Sequence, residues 1–261
     1  MLLLDRAAGR WSWLCWTIAL LIKPQAIILA PLLWIVTLQR YGTRGLLQGG
    51  LLSVGLIVLA LLPLALADQG AGVAQAYFGS VGRFPKATTG AFNLWYLVTM
   101  GTRMHDSVQL AGLLSLRQIG LVLVLLAALL VVIALAWRAF RSDTTGAPIA
   151  LQAAAVLALA FFLLPTQIHE RYLFLTLAFL AATIASNRYM VIPYTLLVTT
   201  ATLNILGDLK GFSPLAYQLI QASPLPQICA IVNLLVLAAL VAHMFMGHRW
   251  RWHTPRWGTD N

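Results

Sequence analysis

Apolar runs of about twenty residues recur along almost the whole chain, and each is long enough to cross roughly 30 Å of hydrocarbon. A chain patterned this way folds as membrane-spanning helices, because a helix satisfies its own backbone hydrogen bonds where no water can. The composition agrees: 61% of the 261 residues are hydrophobic and 9% are Asp, Glu, Lys or Arg, against about 25% charged in a soluble domain. The net charge of +10 therefore bears on orientation and anionic lipid, and is weak ground for a nucleic-acid partner. Cys15 and Cys229 lie in apolar runs with no metal-binding spacing, so no metal site is read from them. No cleavable signal peptide is read at the start, where the first apolar run follows Asp5, Arg6 and Arg10.

Run length predicts an all-α, polytopic helix bundle. It has about six full spans, at about 46–67, 117–137, 149–165, 171–186, 189–206 and 225–246, a broken segment at 11–38 and a short apolar helix at 91–101. Residues 1–248 read as one integral membrane domain, with 249–261 a basic, Trp-rich tail. Positive charge orients the bundle. Arg40, Arg44, Arg138, Arg141, Arg188, Arg249, Arg251 and Arg256 collect on one side, the expected cytoplasmic side, together with the C-terminus. The 68–116 loop, the 165–171 junction and the 206–224 loop then face the extracytoplasmic side.

Arg83, Lys86 and Arg103 in the long outer loop oppose that rule, and an anionic ligand such as a lipid phosphate is one reason to keep them there. Pairing with headgroups, Asp68 or Asp106 is the plainer reason. His248-Arg249-Trp250-Arg251-Trp252-His253 alternates Trp and basic residues after a span, the pattern of an interfacial anchor. Segment 11–38 has arginines at both ends and Lys23-Pro24 in its centre. Proline removes a donor and disfavours helix at the preceding residue, so two short helices meeting at a re-entrant tip are expected, with one tilted span as the alternative.

Three polar clusters interrupt the apolar pattern. Lys23-Pro24-Gln25 puts a cation and an amide inside an apolar run, a costly placement that marks a functional position unless the lysine snorkels. Pro165-Thr166-Gln167-Ile168-His169-Glu170-Arg171-Tyr172 packs hydrogen-bonding and ionisable groups into a junction with almost no loop, and Glu170 is the sole glutamate of the chain. A salt-bridged tight turn is the alternative. Phe92-Asn93-Leu94-Trp95-Tyr96 offers either a helix cap with belt aromatics or an aromatic platform for a sugar or lipid, with Asn93 as a polar contact. No phosphate loop, HExxH or GxSxG pattern is present, and each of the seven carboxylates stands alone in the sequence. Gly45-xxx-Gly49 has helix-packing spacing.

In this order and at these distances, the clusters resemble the C-terminal half of bacterial GT-C-type glycosyltransferases, which use polyprenyl-phosphate-linked sugars. Lys23-Pro24-Gln25-Ala26 with Pro31 looks like that family's KPQAxxxxP segment. Ala91-Phe92-Asn93-Leu94-Trp95 looks like NxFNLW, with Gly90 at the first Asn position. Gln167 to Phe174 looks like the Q-hydrophobic-HERYLFP segment, with Leu175 where proline is common. The resemblance implies inverting transfer of a sugar, a hexose such as mannose, from a polyprenyl phosphate on the extracytoplasmic face. It implies His169 and Glu170 as catalytic residues and Lys23, Gln25, Arg83, Lys86, Asn93, Trp95, Gln167, Arg171 and Tyr172 as substrate contacts. No cofactor is evident, and neither a divalent metal nor the acceptor is specified. The family's catalytic acid is expected in an outer loop upstream of the KPQA-like segment, so the resemblance implies either that this is a truncated reading of a longer chain or that the N-terminal half is a separate partner chain. The competing classes are a transporter or flippase for an anionic lipid or solute, which uses broken helices with central charges, and a non-catalytic membrane subunit.

Overall fold

The computed structural model describes residues 9–79, 82–140 and 147–246. The expected tail at 249–261 and its Trp/Arg anchor lie outside the described residues.

The break expected near Lys23 is present. Helix α1 (Gly9–Ile22) stops at Lys23, whose φ of −148° and ψ of 112° are extended, as the residue before a proline prefers. A 3-10 turn follows over Pro24–Leu29, and α2 (Ala30–Leu66) begins with Pro31 in its first turn. Within α2 a second break falls at Gly42, at φ 63° and ψ −166°, a conformation open to glycine and costly for any residue with a Cβ. The chain doubles back there. The Trp13 indole donates to Thr37 Oγ1 at 3.1 Å on the first arm of α2 and also lies against Gly49 on the second. Thr17 then donates to Ser53 Oγ at 2.7 Å, so α1 runs against the first arm and alongside the second.

Helix α3 (Gly70–Phe78) and α4 (Leu94–Thr99) lie in the long loop, followed by a two-residue antiparallel ladder of β1 (Gln109–Leu110) with β2 (Leu114–Ser115). The remaining helices are α5 (Leu116–Phe140), α6 (Ala147–Leu163), α7 (Phe174–Ile184), α8 (Val191–Leu206), α9 (Pro214–Gln221) and α10 (Leu225–Met246). Among the described residues, four stretches are long and apolar enough to cross a membrane: Pro24–Leu66, Leu116–Phe140, Arg188–Leu206 and Leu225–Met246. The 149–165 run forms a shorter apolar helix, and the 171–186 run divides into a 3-10 turn over Glu170–Leu173 and the 11-residue α7.

Burial is inverted relative to a soluble protein. Leu47, Leu51 and Leu59 on α2 and Leu125 on α5 are largely exposed, while Thr17, Ser53, Gln152, Thr176, Thr200, Asn204 and Asn233 are buried. That is the arrangement a lipid solvent favours, because apolar side chains gain nothing by hiding from hydrocarbon whereas polar ones need partners. At the centre stands α6, apolar except for the buried Gln152. Its Ala153, Ala154, Ala155, Val156, Leu157, Ala158, Leu159 and Ala160 are at most 1% exposed, and their small side chains let α5, α7 and α10 close around it.

Candidate functional site

The long loop folds back onto the junction after α6. Thr89 N–H donates to the Ile168 carbonyl at 3.1 Å, Gln167 N–H to the Lys86 carbonyl at 3.1 Å, and Thr89 and Gly90 both form backbone bridges with His169. Two buried amides from the spans lock the loop from below. Asn204 Nδ2 donates to the Gly90 carbonyl at 2.6 Å and Asn204 Oδ1 accepts from Phe92 N–H at 3.0 Å. Asn233 Nδ2 donates to the Phe92 carbonyl at 3.3 Å while its oxygen accepts from Thr200.

These contacts enclose a cavity of about 400 Å³ at one end of the bundle, lined by Lys86, Thr88, Thr89, Gly90, Tyr96, Gly101, Arg103, His169, Glu170, Arg171, Asp208, Tyr217 and Gln221. It holds two carboxylates, Glu170 and Asp208, an imidazole and three cations. Glu170 lies 3.6 Å from the Arg171 guanidinium and 3.9 Å from His169 Nδ1, with its Oε2 buried and without a hydrogen-bond partner. Asp208 follows α8 and points at Gly90, where a Cβ would sit 2.5 Å from Oδ1. Burial and the nearby Glu170 carboxylate raise the Asp208 pKa above the ordinary range, with His169, Arg171 and Arg103 opposing the rise. The carboxylate stands at the exposed mouth of the cavity, where solvent tempers this shift. Burial lowers the His169 pKa, Arg171 adds to the effect, and Glu170 and Asp208 oppose it. The imidazole ring is held edge-on between Phe84 and Tyr172, with centroids at 5.4 and 5.8 Å. Among the described residues, no group of three His, Cys, Asp or Glu stands close enough to hold a metal ion.

Of the residues singled out in the sequence, Lys86, Tyr96, Arg103, His169, Glu170 and Arg171 line this cavity. Tyr172 borders it through His169 and also holds Lys23 Nζ over its ring, 5.1 Å from the centroid. That contact brings the tip between α1 and α2 to the junction. Gln25 lies in the tip turn, and Arg83 is exposed beside Phe84. Asn93, Trp95 and Gln167 have structural tasks outside the cavity wall. The Asn93 side chain caps α4 by accepting from Trp95 and Tyr96 N–H, the Trp95 indole donates to the Leu164 carbonyl at 2.7 Å, and both residues are buried. Gln167 donates to Asp106 Oδ2 at 2.6 Å and accepts from Gly82 N–H, so both ends of its amide hold the loop.

Sequence reading missed Asp208, Tyr217 and Gln221 as lining residues. Asp208 is a lone carboxylate with no neighbouring motif, and only its position just past an apolar run could have flagged it. Gln221 Oε1 accepts from Tyr96 Oη at 2.9 Å and its Nε2 donates to the Gly207 carbonyl, joining α9 to α4 across the cavity.

Fold and site together define an integral membrane helix bundle with a charged cavity at one end of its helices. The chain matches no protein-family profile, no curated protein and no solved structure.

Proposed function

We propose that the chain is a membrane glycosyltransferase, or the C-terminal part of one, that transfers a hexose from a polyprenyl-phosphate donor on the extracytoplasmic face of a bacterial inner membrane. The bundle of this reading has about six spans, with α6 and the turn-interrupted α7 region each crossing despite their short helices, and the α1–α2 hairpin re-entering to the level of Tyr172. One observation carries the reading: the cavity combines two carboxylates with Lys86, Arg103 and Arg171 at the end of apolar helices. Sugar transfer from a lipid phosphate needs both sets of groups. In the step, an acceptor hydroxyl attacks the anomeric carbon and its proton passes to a carboxylate. The bond from the anomeric carbon to the phosphate oxygen breaks with its electron pair on the phosphate, whose charge the cations stabilise.

Glu170 and Asp208 are the two candidate bases, with His169 positioning Glu170 from 3.9 Å. Asp208 here takes the role of a motif carboxylate that the sequence did not mark. The KPQA-like and HERYLF-like segments support the reading through the Lys23–Tyr172 contact, and the FNLW-like segment through the loop it anchors.

The test is transfer of labelled hexose from a polyprenyl phosphate in membranes containing the chain. Glu170→Gln and Asp208→Asn are assayed beside wild type. Loss of the proton acceptor lowers turnover by about a hundredfold or more in at least one variant, with donor binding retained. Wild-type membranes that transfer no sugar above a no-protein control, both for the chain alone and for the chain expressed with an N-terminal half carrying the acidic outer loop, refute the reading, and full turnover in both variants refutes the assignment of the carboxylates.

A further inference from the structure

A second polar cavity lies at the far end of α1, by the Gly42 reversal, and takes no part in the site described above. It measures about 430 Å³ and is lined by Gly9, Arg10, Trp11, Trp13, Thr37, Tyr41, Arg44, Gly45, Gln48 and Gly49. The paired glycines noted in the sequence make its floor. A Cβ on Gly49 would fall 2.5 Å from the Trp13 ring, and one on Gly45 would fall 2.3 Å from Tyr41 Cβ. The close approach of α1 to the second arm of α2 therefore depends on Gly49, and the packing of that arm against the first on Gly45. A recess is left above Trp13 and Thr37, which are 4% and 1% exposed.

Arg10 from α1 and Arg44 from the second arm of α2 bring two cations to the rim of this recess, with the Gln48 amide beside them. Among the described residues, none lining the cavity is acidic and neither arginine forms an ion pair. The surroundings place the cavity at a membrane surface. Leu47 and Leu51, on the same arm as Arg44, are 68% and 73% exposed, and Trp11 is half exposed at the rim. Exposed leucines meet acyl chains, while a rim tryptophan and arginines suit the headgroup layer.

We infer that this cavity binds the phosphate of an anionic phospholipid between Arg10 and Arg44, with Gln48 donating to the headgroup and the acyl chains lying along Leu47 and Leu51. Guanidinium groups are suited to this because they present planar, paired donors to phosphate oxygens and give up water readily. The recess explains the choice of ligand: a free phosphate would fill only part of its volume and would leave the half-exposed Trp11 at its rim uncovered. A lipid headgroup with its glycerol backbone covers both.

Native mass spectrometry of the full chain, released from detergent after exchange with phosphatidylglycerol, phosphatidylcholine or inorganic phosphate, tests the site. Wild type retains phosphatidylglycerol over phosphatidylcholine. The Arg10→Gln/Arg44→Gln double variant loses roughly thirtyfold in retention, while Arg188→Gln, an exposed arginine outside the cavity, retains wild-type binding. Circular dichroism establishes that each variant is folded. If the double variant misfolds, the single variants Arg10→Gln and Arg44→Gln must each weaken retention for the site to stand. Equal retention in wild type and folded variants overturns the proposal, as does an equal loss in Arg188→Gln. Retention of inorganic phosphate without selectivity for phosphatidylglycerol overturns the lipid as its source.

Discussion

Asn204 and Asn233 carry amides into the apolar interior, and both spend them on the backbone of residues 90–92. Buried polar groups in a membrane need such partners, and here they position the loop that walls the cavity. Gly90 completes the arrangement. At φ 78°, with Asp208 against its Cα, it occupies a position where a side chain would be strained and would displace the carboxylate. A neutral His169 is the testable consequence at this scale. Its folded pKa lies below the ordinary value of 6.5, so between the two values the unfolded chain holds a proton that the folded chain lacks. The stability this group contributes is complete above the ordinary value and is lost as pH falls through the folded one. The thermal midpoint of wild type therefore drops more steeply than that of His169→Gln as pH is lowered from about 7.5 to about 5.5. Parallel slopes would show that His169 is not held neutral.

At the scale of elements, α6 is the piece around which the others close. Its alanines from 153 to 160 allow close approach on every side, so added volume has no direction in which to escape. Ala154→Leu is expected to destabilise the bundle by about 1–3 kcal/mol, read as a lowered unfolding midpoint in detergent. Leu125→Ala, on a face 68% exposed, should change it by far less. A similar loss in both would mean that α6 is not the packing centre. The breaks at Lys23 and Gly42 illustrate what was legible at this scale. Lys23-Pro24 announces a break because proline constrains its own φ and its predecessor's backbone. Gly42 does not, since a glycine in an apolar run is as compatible with continuous helix as with reversal, and only the contacts of Trp13 with both arms decide for reversal.

For the whole molecule, the charge distribution predicts which end faces which compartment. The cavity end carries the 82–106 loop, and the other end carries Arg44, Arg138 and Arg188. With Cys15 replaced by serine, a cysteine at Gly72 should react with a membrane-impermeant maleimide on intact cells, and one at Ser186 only after permeabilisation. Labelling of both from the same side would overturn the proposed face. The candidate site itself was half legible. His169, Glu170 and Arg171 stand out because four polar side chains at a nearly loopless junction are conspicuous in an apolar chain. Asn93 and Trp95 stand out equally, yet their side chains are consumed by a helix cap and a carbonyl, a distinction that local spacing does not carry.

The residue pattern alone determined that this chain is a bundle of helices in lipid, where its charges gather and where proline interrupts it, because hydropathy and backbone sterics act over a few turns of chain. Tertiary structure decided which polar groups share a cavity. Asp208 meets Glu170 and Gly90, and Arg10 meets Arg44, through the packing of helices far apart in sequence. Pairing across such distances depends on which small residues let two helices approach, and no single segment records that.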